Sequence, residues 1–319
     1  AQLEAWYSPD EAAAWNSPLS VLTSTQIAAL TATQINTLGA GARMVALGTD
    51  QIAALTTSQI STLSTASISG LSGTQFSVLS AAQIVAITTT NIAALSTTEL
   101  VALTTAQAVA LGAAQIGALS IQAVASLEAA DLAALSTAQL GALSARQARA
   151  LNATQTAALQ TTQVAALNTA QIAALATASL NAMGAAQFQV LSTAQAAALT
   201  TQQVASLETA DFAALGTAQI AALSIANTAV LSMAEVAALT TAQARALSTA
   251  QIQALSTRNV AAMESADLRA LTTAQVAALT TAQVLGLAAQ PVDSVLAVDG
   301  SSLGWSLSKF SFNGVSLSR

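Results

Sequence analysis

The chain has 319 residues, of which 54% are apolar and 7% are charged; its net charge is −6, and it contains no histidine and no cysteine. The absence of these two residue types excludes Ser-His-Asp and Cys-His catalytic groups, disulfides, and metal sites built from nitrogen and sulfur ligands. Its eight basic residues are scattered and too few to bind nucleic-acid phosphates, and no apolar run approaches the roughly 18 residues of a transmembrane helix. We therefore expect a protein that is not an enzyme and that has no cofactor, metal site, nucleic-acid partner or membrane span.

Residues 1–22 precede the repeat and carry Trp6, Tyr7 and Trp15. The run SPDE from Ser8 to Glu11 is typical of a helix start, with Ser as N-cap, Pro at the first helical position and acids in the first turn. A helix over residues 9–16 is therefore predicted. Because the outer face of a terminal repeat has no neighbour, we expect this aromatic helix to form an N-terminal cap.

An eight-residue repeat, here called the octad, fills residues 23–287. Residues 23–38 hold two octads, and residues 48–287 hold thirty without an insertion. The stretch from residue 240 to 287 reads TTAQARAL, STAQIQAL, STRNVAAM, ESADLRAL, TTAQVAAL, TTAQVLGL. Residues 39–47 contain one residue too many, which we interpret as a bulge or kink that Gly39 and Gly41 permit, with a functional hinge as the alternative. A fixed short period indicates a solenoid or a fibrous array.

Each octad carries the signals of a short helix. The first position is Ser or Thr in nineteen of the thirty octads and the fourth is Gln or Glu in twenty-one; Ser248 and Gln251 show this capping-box spacing. Leu247 before the cap and Ile252 after the Gln are placed as a hydrophobic staple, so a helix of about six residues is predicted in every octad. One continuous helix, whose apolar stripe would wind around the rod, and a β-solenoid, for which this composition is poor, are the alternatives.

Helices this short are unstable alone, so the prediction requires them to stack. The eighth position is Leu in twenty-seven of thirty octads, and the fifth is usually apolar and branched or aromatic; together they supply a buried stripe. Alanines elsewhere let the helix axes approach closely. The predicted fold is an all-α solenoid, a superhelix of very short helices with one helix per octad and about two to four octads per coil. The sequence leaves the handedness open.

Two kinds of octad depart from the rule. Phe76, Phe188 and Phe212 replace Ile or Val at the fifth position; we interpret them as core residues, with a ligand pocket as the alternative. Three octads combine a Glu cap with Asp at the fourth position: Glu128/Asp131, Glu208/Asp211 and Glu264/Asp267. Paired carboxylates can bind a divalent cation, but acids are also favoured at a helix N-terminus, and we assign no metal site.

Residues 288–319 depart from the octad, and the break comes at Pro291. Asp-Gly at 299–300 and Asn-Gly at 313–314 are hairpin-turn dipeptides. Apolar residues that alternate with serines flank the second turn, as in a half-buried hairpin: Phe310, Phe312, Val315 and Leu317. We predict a small C-terminal β-hairpin module that caps the rod or joins one copy to another.

The run LTTAQVAAL at residues 271–279 resembles two known kinds of repeat. It is similar to the first helix of TAL-effector repeats, but their base-reading loop and basic charge are missing, so DNA reading is not implied. The octads, over about four-fifths of the chain, also resemble the LTTAQ(V/I)AAL-type repeats of large secreted or surface proteins of Gram-negative bacteria, some labelled haem-utilisation or adhesion proteins. This resemblance implies an extracellular, repetitive, structural role, although the chain has no histidine to ligate haem.

The function that we expect is a non-catalytic extracellular structural protein: a rod-like stalk, or the subunit of a filament or fibre, in bacterial surface adhesion, biofilm or matrix. Copies would form a homopolymer through the terminal modules. The alternative is a binding module, in which the repeated polar side chains bind a glycan, another protein or ice. The sequence identifies no surface ligand.

Overall fold

The computed structural model describes residues 21–39 and 43–289. These ranges contain thirty-two α-helices of four to eight residues and one 3₁₀ helix (Arg43–Ala46), with no strand among them. Each octad between residues 48 and 287 forms one α-helix, which confirms the predicted all-α solenoid. In chain order the α-helices are α1 (Ser24–Ala29), α2 (Ala32–Gly39), α3 (Thr49–Ala53), α4 (Thr57–Thr62), α5 (Thr65–Ile68), α6 (Gly73–Ser77), α7 (Ala81–Ala86), α8 (Thr89–Ala93), α9 (Thr97–Val101), α10 (Thr105–Ala110), α11 (Ala113–Ala118), α12 (Ile121–Ser126), α13 (Ala129–Ala134), α14 (Thr137–Gly141), α15 (Ala145–Arg149), α16 (Ala153–Ala158), α17 (Thr161–Ala166), α18 (Thr169–Ala174), α19 (Thr177–Asn181), α20 (Ala185–Gln189), α21 (Thr193–Ala197), α22 (Thr201–Ala205), α23 (Thr209–Ala213), α24 (Thr217–Ala222), α25 (Ile225–Ala229), α26 (Met233–Ala237), α27 (Thr241–Ala246), α28 (Thr249–Ala254), α29 (Thr257–Ala262), α30 (Ser265–Ala270), α31 (Thr273–Ala277) and α32 (Thr281–Ala288).

The chain turns at the junction of two octads because two residues there leave the helical conformation. In α28 the N-cap Ser248 is extended (φ −70°, ψ 161°), and so is the C-cap Leu255 (φ −60°, ψ 138°). The Ser248 hydroxyl accepts the backbone N–H of Gln251 at 3.2 Å, which satisfies one of the free donors of the helix start. A helix therefore ends and a new one begins in every octad, and both alternatives, the continuous helix and the β-solenoid, are excluded for the described residues.

Successive coils stack with a period between three and four helices. α18 packs on α15, three helices earlier, and α21 packs on α18 in turn. The side chain of Gln171 in α18 also reaches the backbone carbonyl of Leu143, 28 residues earlier and just after α14, at 2.7 Å. One coil therefore spans about 28 residues, or three and a half octads, which is within the predicted range.

The core of the superhelix is built from the fifth and eighth octad positions. Ile252 is fully buried and Leu255 is 3% exposed. Phe76, Phe188 and Phe212 are at most 1% exposed, which confirms their interpretation as core residues. Because helices of five or six residues do not persist alone, this shared apolar column holds the coils together.

The helix type changes next to the extra residue between the second and third octads, within the described residues on either side of residues 40–42. α2 continues to Gly39, and a 3₁₀ helix, with fewer residues per turn, follows at Arg43–Ala46. Met44 and Leu47 are at most 3% exposed and take the places of the fifth and eighth positions. The 3₁₀ helix lies inside the stretch of residues 39–47, but residues 40–42 lie outside the described residues, so the bulge or kink and the hinge stay predictions.

Both predicted terminal modules lie outside the described residues. The aromatic N-terminal helix at residues 9–16 and the β-hairpin module within residues 288–319 therefore stay predictions, as do the domain boundaries drawn at residues 22 and 287. The last described helix, α32, ends at Ala288 with Ala289 as its C-cap.

Candidate functional site

A row of buried side chains at the fourth octad position, from residue 51 to residue 283, runs through the superhelix, and all but Ala123 are polar; we call it the amide ladder. Nineteen of its thirty members are glutamines. Gln155 is 2% exposed, and its Oε1 accepts the N-cap N–H of Asn152 at 2.8 Å. Its Nε2 donates to the carbonyls of Leu127 and Val124 in the preceding coil, at 2.7 and 2.9 Å. One amide thus caps its own helix and bonds to its neighbour.

The capping-box pattern predicts the first of these hydrogen bonds but not the second. A capping box accepts Gln or Glu, because either side chain offers an oxygen to the N-cap N–H. The bond to the preceding coil needs an N–H donor, which glutamine has and ionised glutamate lacks. The excess of nineteen Gln over two Glu is the signal in the sequence from which this second role could have been read.

Two shorter side chains in the ladder make the bond to the preceding coil but not the bond to the N-cap N–H of their own helix. The Nδ2 of Asn91 donates to the Leu63 carbonyl at 2.8 Å, and the Ser179 hydroxyl donates to the Leu151 carbonyl at 2.6 Å. Both acceptors lie 28 residues earlier, as they do for Gln. The bond between coils is therefore the feature that the Asn positions and Ser179 share with the Gln positions.

Where the ladder residue is Ser67, the preceding coil supplies the missing amide. The Oδ1 of Asn36 accepts the N–H of Ser64, the N-cap of that helix, at 2.7 Å. The Asn36 Nδ2 donates to the carbonyl of Thr62 at 2.7 Å. A side chain outside the ladder thus restores the cap bond that serine cannot make.

Five members of the ladder are carboxylic acids, and all are buried: Glu99, Asp131, Asp211, Glu235 and Asp267. The Oε2 of Glu235 accepts the Ser232 N–H at 2.6 Å, as a glutamine Oε1 does. Its Oε1 is buried and has no hydrogen-bond partner. In the Gln octads the corresponding atom is the Nε2 that donates to the carbonyl 28 residues earlier, which here belongs to Leu207. Glu235 is therefore a weak point of the ladder.

Replacing Glu235 with glutamine is expected to raise the free energy of unfolding at pH 7 by roughly 1–3 kcal/mol. The reason is that a glutamine Nε2 can donate to the Leu207 carbonyl, whereas the Glu235 Oε1 is buried without a partner. Urea unfolding followed by circular dichroism measures the gain. Asp50→Asn, which removes the same charge from an exposed side chain, is the matched control; because Asp50 lies in the first turn of α3, it should lower the stability by no more than about 1 kcal/mol. Equal effects of the two substitutions would mean that net charge, not the missing donor, limits stability.

The three Glu/Asp pairs lie apart in the superhelix. They are on α13, which packs on α10 and α16, on α23, which packs on α20 and α26, and on α30, which packs on α27. The Oδ1 of Asp131 accepts the Thr105 hydroxyl at 2.7 Å, whereas the Oδ2 atoms of Asp131 and Asp267 are buried without a hydrogen-bond partner. Among the described residues no three Asp or Glu side chains are grouped as ligands of a metal ion.

Burial changes the titration of two ladder aspartates. Removal from water raises the pKa of Asp211 and of Asp267, and the nearby carboxylates of Glu208 and Glu264 raise them further. A raised folded-state pKa means that the folded protein binds more protons than the unfolded chain. Stability contributed by these groups therefore rises as the pH falls through the raised pKa.

When the pH is lowered from 7 to about 4, near the ordinary aspartate pKa, the wild type is expected to gain stability. The double variant Asp211→Asn/Asp267→Asn should gain less, because asparagine does not take up a proton. Melting temperatures across this interval, at constant ionic strength, give the two slopes. Asp50→Asn again serves as the control for net charge. Identical slopes in the wild type and the double variant would show that the two aspartates do not titrate differently on folding.

The outer surface of the superhelix is polar but carries little charge. The first, second and third octad positions are largely exposed and are mostly Ser, Thr and Ala. An open groove of about 530 Å³ lies where the end of α9, the turn before α13 and the start of α16 meet; Val101, Glu128 and Asn152 are among its lining residues. None of the described helices combines the length and the apolar character needed to cross a membrane.

A superhelix of short capped helices, with a polar ladder buried beside its apolar core, defines an α-solenoid repeat protein. The chain belongs to the ALTTAQ repeat family, whose model matches residues 84–121, 124–161, 164–201, 172–209, 204–241, 234–265 and 260–290. These matches confirm the resemblance to LTTAQ(V/I)AAL-type octapeptide repeats. No curated protein matches the chain.

Proposed function

We propose that the protein is a non-catalytic, extracellular structural element of a bacterial surface: a stalk or filament subunit that acts in adhesion, in a biofilm or in the matrix. Its mechanism is geometric, because a rod of repeated coils holds whatever it carries at a set distance. The observation that carries this proposal is the register of the amide ladder, which is the same from coil to coil.

The ladder supports a modular rod because each coil presents the acceptors that the next coil needs. Gln147, Gln155 and Gln163 donate to the carbonyls of Leu119, Leu127 and Leu135, each 28 residues earlier. The same bond therefore repeats with each added octad. In such a quasi-one-dimensional array each repeat contacts only its neighbours, so length grows with the number of repeats.

The proposal of an extracellular site rests on the family resemblance and on composition. The octads are similar to those of large secreted or surface proteins of Gram-negative bacteria, and the chain lacks cysteine, so an oxidising compartment imposes no disulfide chemistry on it. Protease treatment of intact cells that produce the protein tests the location. Degradation of the protein while cytoplasmic markers survive supports it, and full protection contradicts it.

A duplication tests the modular rod. Residues 192–247 comprise seven octads, which equal two coils of 28 residues. Inserting a second copy of this segment after residue 247 should lengthen the particle by the rise of two coils and leave its cross-section and melting temperature nearly unchanged. Small-angle scattering and electron microscopy measure both dimensions.

The matched control is an insertion of half an octad at the same point, which displaces the ladder from its acceptors and should destabilise the rod. A duplication that widens the particle without lengthening it contradicts the structural role.

A second candidate, a glycan-binding module, is favoured by the open groove. Val101 is 53% exposed and offers an apolar surface, while Glu128 and Asn152 offer hydrogen-bond acceptors and a donor to sugar hydroxyls. A glycan array with the wild type and with Glu128→Gln tests this function. Binding to no glycan, or binding that the substitution leaves unchanged, removes the groove from consideration; thermal hysteresis tests ice binding in the same way.

A further inference from the structure

The amide ladder has a direction, because each bond that a ladder Gln or Asn makes between coils runs from its side-chain N–H to a backbone carbonyl of an earlier coil. Nε2 of Gln251 donates to the Leu223 carbonyl at 2.9 Å, and Nε2 of Gln283 donates to the Leu255 carbonyl at 2.8 Å. Within the described residues, the first helices therefore present donors with no earlier coil, and the last helices present acceptors with no later coil.

At the beginning of the column two glutamines use only half of their amide. The Oε1 atoms of Gln26 and Gln34 accept the N–H groups of Thr23 and Thr31, both at 2.8 Å. Their Nε2 atoms have no acceptor among the described residues. Gln51 is the first glutamine whose Nε2 donates to an earlier coil, to the Leu22 carbonyl at 2.7 Å.

At the far end the acceptors continue after the donors stop. Gln283 is the last glutamine of the ladder and reaches back to Leu255. The carbonyls of Met263 and Leu271, one and two octads further on, receive no ladder side chain from the described residues. The next ladder position is Pro291, whose side chain has no donor and whose ring opposes continuation of the helical path.

We propose that two copies of this chain join head to tail, with Gln26 and Gln34 of one copy donating Nε2 to the carbonyls of Met263 and Leu271 of a second copy. Both the donors and the acceptors are eight residues apart, so the register of the interior coils is reproduced across the junction. This inference rests on the proposed structural role and names its partner as a second copy of the same chain.

The apolar surface at the two ends supports the same occupant. Leu22 and Leu30 at the beginning, and Leu279 and Leu287 at the end, are only partly buried against the core, whereas interior residues such as Leu255 are 3% exposed. Stacking one end on the other would give these leucines the neighbours that an interior coil provides. Heterologous contacts of this kind do not close on themselves and so generate filaments.

Gln26→Glu/Gln34→Glu is the decisive variant, because a carboxylate keeps the cap and removes the donor. Glu99 shows that the cap survives, since its Oε2 accepts the Ser96 N–H at 2.8 Å. The matched control is Gln122→Glu/Gln202→Glu, which adds the same charge to exposed side chains. Sedimentation velocity of the full chain over a concentration series, with electron microscopy of the same samples, gives the assembly state.

The wild type and the control are expected to form end-to-end assemblies that lengthen with concentration, and the Gln26→Glu/Gln34→Glu variant should associate roughly tenfold or more weakly. A wild type that is monomeric at every concentration overturns the proposal. Assembly that the variant leaves unchanged also overturns it. Scattering from the monomer separates the failures: elongated monomers that never join leave the structural role standing, whereas compact monomers remove both.

Discussion

Replacing Gln171 with methionine is expected to lower the free energy of unfolding by about 2–5 kcal/mol, because buried groups lose their hydrogen-bond partners. Gln171 is fully buried. Its Oε1 accepts the Asn168 N–H at 2.8 Å, and its Nε2 donates to the carbonyls of Leu140 and Leu143 at 2.9 and 2.7 Å. Methionine has a similar length but makes none of these bonds, so one donor and two acceptors lose this partner.

Urea unfolding of the Gln171→Met variant measures the loss, and hydrogen exchange of the amides in α14 and α18 locates it. Gln202→Met, on the exposed surface, is the control and should change stability by no more than about 0.5 kcal/mol. Gln171→Glu separates the two roles, because it keeps the cap but turns the donor into an acceptor. If both variants at position 171 unfold like the wild type, the ladder does not hold adjacent coils together.

The existence of one helix per octad could be predicted because its causes are local. A cap hydroxyl and the Gln three residues later, as in Ser248 and Gln251, lie within one helical turn, so their bond depends on few other residues. The staple formed by Leu247 and Ile252 is equally local. These features place each helix start to within a residue or two, without knowledge of which coil lies above or below.

The number of octads per coil could not be predicted because its cause is not local. The acceptors of Gln171 lie 28 and 31 residues earlier, and the octad spacing alone is compatible with several coil sizes. The amide ladder could not be predicted for the same reason, since the cap bond alone is enough to explain a Gln at the fourth position. The acidic members of the ladder show this second role, the bond to the preceding coil, by lacking it. Glu235, for example, keeps the cap bond, but its Oε1 has no partner.

Replacing Phe76 with alanine is expected to cost about 3–5 kcal/mol, because deletion of a buried aromatic ring leaves a cavity that a tightly packed core fills only in part. Phe76 is 1% exposed and lies in α6, which packs on α9; Gln107 of α10 donates Nε2 to the Phe76 carbonyl at 3.0 Å. Thermal and urea unfolding of the variant measure the cost. Val78→Ala, two residues away and 37% exposed, is the control and should cost much less.

A compensating substitution tests which residue faces the ring. Ala108 is 1% exposed and follows Gln107, which bonds to the Phe76 carbonyl, so we expect the small Ala108 side chain to lie near the Phe76 ring. Phe212 and Ala244 occur at the same spacing. Ala108→Phe alone should overpack the core by about 1–3 kcal/mol, but Phe76→Ala/Ala108→Phe should cost less than the sum of its parts, because the new ring enters the space that the old one left. Ala148→Phe, at an equally buried fifth position nine octads beyond Phe76, should instead add to Phe76→Ala without coupling. If Phe76→Ala shows the same coupling free energy with Ala148→Phe as with Ala108→Phe, the stability lost at Phe76 spreads along the column and is not confined to adjacent coils.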